Sequence, residues 1–219
     1  MLSTHRSNPI LTTLMLAVLP SAQAADVDAK QALLEYNTLL KHVYASEVKV
    51  AVIDRADGNK VSRGTYLVQK PIAGVKPQRE LVKTNEQPPK SAIMDLPIDL
   101  AVKPELALPL GEKIELLGTE TCDKVECVIV RTSGDLNGKG KIFFEARIRL
   151  LKQSGVPVDS AVTITKIPFA DSYSYSASFA KSPEGFSIVG SQESFLLKVA
   201  MMRMDLERTQ SFAGWKSRD

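Results

Sequence analysis

The chain has 219 residues, 44% of them hydrophobic and 24% charged, with a formal net charge of +3. This is the composition of a folded globular protein, not of a disordered one. The weak positive balance makes no electrostatic case for nucleic acid or an anionic membrane surface.

Arg6 precedes an apolar run from Ile10 to Leu19, and Ala22-Gln23-Ala24 follows with small residues at both positions a signal peptidase reads. The pattern is that of a cleaved secretory signal whose apolar part is too short for a permanent anchor. Cleavage near Ala24 removes Arg6 and leaves about 195 residues of about +2 charge. No later apolar run approaches the roughly 20 residues of a transmembrane helix. The predicted product is exported, carries no integral membrane segment after cleavage, and resides in a bacterial periplasm or is secreted.

Residues 26–46 read as an amphipathic helix, with Leu33, Tyr36, Leu40 and Tyr44 at three- and four-residue spacing, Leu39 and Val43 widening the stripe, and Asp26 or Asp28 as N-cap. The period then changes to two at Val48, Val50 and Val52, and a turn at Ala56-Asp57-Gly58-Asn59 leads to a second strand over 61–68. Residues 25–70 are thus expected to form a helix-plus-hairpin lobe. The carboxylates of the turn lack the rest of a calcium-loop pattern, so the turn is read as a turn.

Residues 71–111 are dense in proline, from Pro71 to Pro109, which forbids long helices and interior strands. They read as a connector, either extended or laid over a core as short edge segments. Strands are expected over 113–117, 125–131, 141–151, 161–167, 171–180, 186–189 and 195–199, with a terminal helix over 200–210 inside a tail of residues 201–219. The clearest is 141–151, where Ile142, Phe144, Ala146, Ile148 and Leu150 share one face and Glu145, Arg147 and Arg149 the other. The fold class is mainly β (α+β overall), with residues 112–200 an antiparallel β-sandwich or small barrel.

Cys122 and Cys127, four residues apart in an exported chain, read as a disulfide at a hairpin tip. Residues 114–168 resemble the membrane-proximal β-sandwich of integrin α chains. The likeness rests on Cys122-x4-Cys127, the Gly138-Lys139 turn, the Arg147-Ile148-Arg149-Leu150 strand and Ile167-Pro168-Phe169. It implies a sandwich and no activity.

No catalytic constellation stands out. After cleavage His42 is the sole histidine, no Gly-x-Ser-x-Gly elbow occurs, and no metal or cofactor motif is present. The expected function is protein–protein contact within a bacterial envelope assembly (secretion, pilus or conjugation apparatus), with other envelope or secreted proteins as partners and strand addition as the contact mode. Candidate surface residues are Arg147, Arg149, Tyr173, Tyr175, Phe179 and Trp215. The alternatives are a small-molecule or glycan-binding or inhibitor module using the Tyr173, Tyr175 and Phe179 strip, and an envelope hydrolase using His42 or a carboxylate pair.

Overall fold

A computed structural model describes residues 28–84, 88, 98–136, 140–167, 170–182, 185–199 and 202–218. The expected signal segment with its Ala24 cleavage site, and Pro89 and Pro97 of the connector, lie outside the described residues.

Helix α1 spans Ala29–Lys41, started by Asp28, whose Oδ1 accepts the backbone N–H groups of Lys30 and Gln31 at 2.9 and 3.2 Å. It buries Ala29, Ala32, Leu33, Asn37 and Leu40, a three/four-spaced stripe, while Leu39 stays exposed. The helix stops five residues before the expected end because Val43, Tyr44 and Ala45 are claimed by the sheet, paired with Ser217, Lys216 and Trp215.

Ten antiparallel strands follow: β1 (Val43–Asp54), β2 (Lys60–Val68), β3 (Arg79–Lys83), β4 (Lys113–Cys122), β5 (Val125–Asp135), β6 (Phe143–Leu151), β7 (Pro157–Lys166), β8 (Ser172–Ser182), β9 (Gly185–Val199) and β10 (Met202–Ser217). They form one sheet in the order β3-β2-β1-β10-β9-β8-β7-β6-β5-β4, with no pairing of β3 to β4, so the sheet is open. The mainly β class, the N-terminal helix and hairpin, and the disulfide-tipped hairpin are all present. The strands of 25–70 and of 112–200 belong to this one sheet rather than to two stacked layers.

The β1–β2 turn is held by the Asp54 carboxylate, which accepts the N–H groups of Ala56 and Asp57, and by left-handed Gly58 and Asn59. Cys122 and Cys127 are bonded across the β4–β5 tip, their Cα atoms 6.0 Å apart, with Asp123 and Lys124 in left-handed conformation between them.

Residues 202–217 are a strand, where a helix was expected over 200–210 and a tail beyond it. Leu206, Arg208, Gln210 and Phe212 alternate as buried residues, and β10 has a long partner on each side. Its buried polar residues hide the period of two. The two short strands expected over 186–199 are one continuous strand, β9.

The core lies on one face of the sheet. Val48, Val50 and Val52 of β1, Phe144, Ala146, Ile148 and Leu150 of β6, and Tyr173, Tyr175 and Ala177 of β8 all enter it. Facing them are α1 and a strap of residues 98–111, part of the proline-rich stretch, which buries Ile98, Leu100, Ala101, Val102, Ala107 and Leu108 around a 3₁₀ turn at Pro104–Ala107. The strap is bonded to β1 (Ala45 N–H to Ala101 O, 2.9 Å) and to β5 (Gly111 N–H to Thr132 Oγ1, 2.8 Å). Strands β1 and β5 lie six places apart, about 29 Å in a flat sheet. Helix α1 also packs on both. The sheet therefore curls its inner face around the helix and strap.

Candidate functional site

A broad concavity lies on the outer face of β10, β1, β2 and β3. Its floor follows from the register. Thr209, Ala51 and Arg63 make one cross-strand row, and Ser211, Lys49, Thr65 and Lys83 make the next. The small residues Ala51, Thr209 and Ser211 keep the floor low. A register shift at Thr65/Tyr66 turns β3 relative to β2, so that Val82 and Thr84 stand as a wall. The groove holds about 780 Å³, within the range of ligand sites. Leu67 and Val82 contribute exposed apolar surface to it. Its charged lining is Lys49, Arg63 and Lys83 against Glu47 alone, a net positive rim. Beside it runs β3, which among the described residues pairs only with β2.

A second concavity lies inside the curl, in two lobes of about 270 and 170 Å³ that share Glu105, Leu106 and Leu136. The larger is walled by Ile98, Ile142, Ile164 and Ile167, and the smaller by Asn37, Pro109, Leu110 and Phe144.

Deep beside the larger lobe sits a buried polar network. Arg208 donates to both carboxylate oxygens of Glu193 at 3.2 and 2.6 Å and to Ile98 O at 2.9 Å, and the Tyr173 hydroxyl donates to Glu193 Oε2 at 2.8 Å. Burial pushes the Glu193 carboxyl above the ordinary range, partly offset by Arg208 and Tyr173. Burial likewise raises the Tyr173 and Tyr175 phenols. The Tyr175 hydroxyl donates to Leu106 O at 2.7 Å. Through Ile98 and Leu106 these groups pin both ends of the strap's first half to the sheet.

The structure places the candidate residues as follows. Tyr173, Tyr175 and Phe179 share the inner face and are buried. Arg147 and Arg149 are on the outer face of β6, in a ladder of ion pairs: Arg147 to Glu120 at 2.5 Å, Arg149 to Glu120 at 3.3 Å and to Asp159, with Arg131 to Glu115 at 2.6 Å beside them. Trp215 is half-buried, its Nε1–H donating to Ile188 O at 3.2 Å. None of these residues lines the groove. His42 caps α1 through its backbone N–H to Leu39 O. No cluster of three or more His, Cys, Asp or Glu side chains suited to a metal occurs among the described residues. Among them, too, no helix is long and apolar enough to cross a membrane.

No protein-family model matches the chain, and no curated protein matches it in sequence. Three solved structures show distant likeness. A LolA superfamily protein from Nitrosomonas europaea is 10% identical with a TM-score of 0.47, covering 87% of this chain and 94% of that one. A DUF1329 family protein from Desulfovibrio piger is 7% identical with a TM-score of 0.46, covering 86% and 92%. MucB of Pseudomonas aeruginosa, solved with MucA, is 9% identical with a TM-score of 0.24, covering 87% and 99%. At such identities and scores these likenesses bear on no residue of the groove or the cleft.

Chemically, the groove offers what an extended polypeptide needs: apolar contact, hydroxyls, a positive rim and a neighbouring strand edge. Sequence reading missed both the groove and the Glu193–Arg208 pair. The groove has no sequence signal, because small floor residues acquire meaning only once the register is known. The pair had one. Glu193 falls at the inward parity of β9 with Ser191 and Phe195, and Arg208 at that of β10 with Leu206 and Phe212.

Proposed function

We propose that the chain, exported by its N-terminal signal and cleaved near Ala24, works in the bacterial periplasm as a non-enzymatic component of an envelope assembly. It holds an extended segment of a partner protein in the groove over β10, β1, β2 and β3. The observation that carries this reading is the groove itself, about 780 Å³ in volume and contiguous with the β3 edge. A strand laid along that edge gains main-chain hydrogen bonds, while Leu67 and Val82 give its side chains apolar contact. The net positive rim favours a segment rich in Asp and Glu.

The opposite outer surface, over β4 to β7, is less suited. Its arginines are already paired with Glu115, Glu120 and Asp159. A photo-crosslinking residue is placed at Leu67, at Val82 or, as a control, at Glu145 of the ladder, and crosslinked in intact cells. Discrete envelope proteins captured from the first two sites and not from the third support the reading. Equal capture from all three, or none from the groove, overturns it.

A further inference from the structure

Strand β4 is the edge of the sheet opposite the groove. Among the described residues it pairs only with β5, so one side of its main chain has no strand partner. The strand is ten residues long and holds no proline. Leu116 and Leu117 stand at its middle, 57% and 48% exposed. The register with β5 shifts between Leu116 and Gly118, so Leu117 is an extra residue and the strand bulges there. Gly118, at φ 128°, gives the backbone the freedom the bulge needs.

The bulge changes which face each charge occupies. Ahead of it, Glu115 accepts from Arg131 on the outer face at 2.6 Å, so Lys113, two residues earlier, is on that face too. Beyond it, Glu120 accepts from Arg147 on the same outer face at 2.5 Å. In a regular strand Lys113 and Glu120 would point to opposite faces. With the extra residue they share one, each three positions from the leucine pair. A strand patterned in this way is complementary to its own copy. Turned about a two-fold axis through the leucines, a second β4 brings its Glu120 opposite Lys113, its Thr119 opposite Ile114, its Gly118 opposite Glu115 and its Leu117 opposite Leu116. The space above Gly118 is open, which leaves room for Glu115. Glu120 keeps 30% of its side chain exposed beside Arg147 and Arg149, and a carboxylate has acceptor sites for a further cation. The two adjacent registers that preserve the faces set Glu115 against Glu120 or against its own copy, and like charges there repel.

We propose that the β4 edge binds a second copy of this chain, β4 against β4, with Lys113 of each copy paired to Glu120 of the other. The contact is isologous, so it closes at two copies. It joins two open sheets into one and covers four leucines that each copy alone leaves in water. None of residues 113–120 lines the groove, so the dimer displays two grooves. That last consequence rests on the groove reading, since two held segments then gain avidity from one tether. The dimer itself does not.

The test is sedimentation equilibrium of the full mature chain. It should show a monomer–dimer equilibrium that weakens as salt rises. Leu117→Lys sets two lysines together at the axis and removes two covered leucines, and should weaken association at least about a hundredfold. Lys113→Glu turns both ion pairs into like-charge contacts. It should weaken the dimer about tenfold and reverse the salt dependence, because salt then screens a repulsion. Lys83→Glu makes the same change of charge on the β3 edge and should leave the dissociation constant unchanged. All three side chains are exposed, so circular dichroism of each variant should match the parent. A chain still monomeric at about 1 mM overturns the proposal. So does a dimer that only Lys83→Glu weakens, or that none of the three weakens. A monomeric result leaves the groove reading standing, since its crosslinks come from Leu67 and Val82 at the other end of the sheet.

Discussion

Replacing Arg208 by Met tests whether the buried network holds the strap to the sheet. The Arg208 side chain is 2% exposed and that of Glu193 1%. The substitution keeps apolar bulk but leaves Glu193 buried without its cation and Ile98 O without its donor. Removing one partner of a buried pair costs about 3–5 kcal/mol. For a chain of this size that is a fall in Tm of about 6–20 °C, at about 2–4 °C per kcal/mol.

The deficit has a defined pH dependence. Burial already raises the Glu193 carboxyl above its ordinary value, and Arg208 pulls it down. Without Arg208 it rises further, so the folded variant holds a proton that the unfolded chain releases. Stability then falls as pH climbs from the ordinary carboxylate range toward the raised native value. Urea unfolding followed by the fluorescence of Trp215, the sole tryptophan, at pH 5 and pH 8 should show a larger deficit at pH 8. The double variant Arg208→Met/Glu193→Leu should recover a good part of the loss, since apolar replacement of a whole pair is often close to neutral. A single variant within about 1 kcal/mol of the parent, or equal deficits at both pH values, would refute the reasoning.

Three other substitutions have defined outcomes. Tyr173→Phe removes the 2.8 Å hydroxyl donor to Glu193 and should cost about 1.5–3 kcal/mol by urea unfolding, the range for a bond to a charged group. Cys122→Ser/Cys127→Ser opens a short loop (sequence separation 5) and should cost about 2 kcal/mol, with the fold retained by circular dichroism. Gly111→Ala would place a Cβ 2.0 Å from Ser133 O, a backbone atom of β5, and must pry the strap from the sheet. A loss of at least about 2 kcal/mol is expected, with hydrogen-exchange protection lost first in β5.

Elements with one apolar face were legible in the sequence. The strand over 141–151 alternates without a break, and β6 buries the expected Phe144, Ala146, Ile148 and Leu150. The spacing of Cys122 and Cys127 marked the tip of a hairpin. What misled was charge on the inner face. A strand that turns Arg208 and Gln210 inward shows no hydrophobic period, so the segment with Met202, Met204 and Leu206 read as helical. The end of α1 was blurred because Tyr36, Leu40 and Tyr44 keep helical spacing although Tyr44 already lies in β1. The groove depended on which strands become neighbours, and β1 beside β10 is a pairing no local pattern announces.

That pairing governs the order in which the fold can be completed. Arg218 and Val43, joined by a side chain-to-backbone bond at 2.9 Å, are 175 residues apart in sequence. The middle of the sheet is thus closed by β10, the last of the ten described strands in chain order. Until β10 arrives, the β3-β2-β1 hairpins and the run from β4 to β9 are separate pieces, each ending in a long unpaired strand of 12 or 15 residues. Such edges template intermolecular pairing, and closing so large a loop is slow. The two pieces therefore lock together only when β10 slides between their waiting edges. Truncation before Met202 would leave both edges bare and convert a late clasp into a permanent aggregation site.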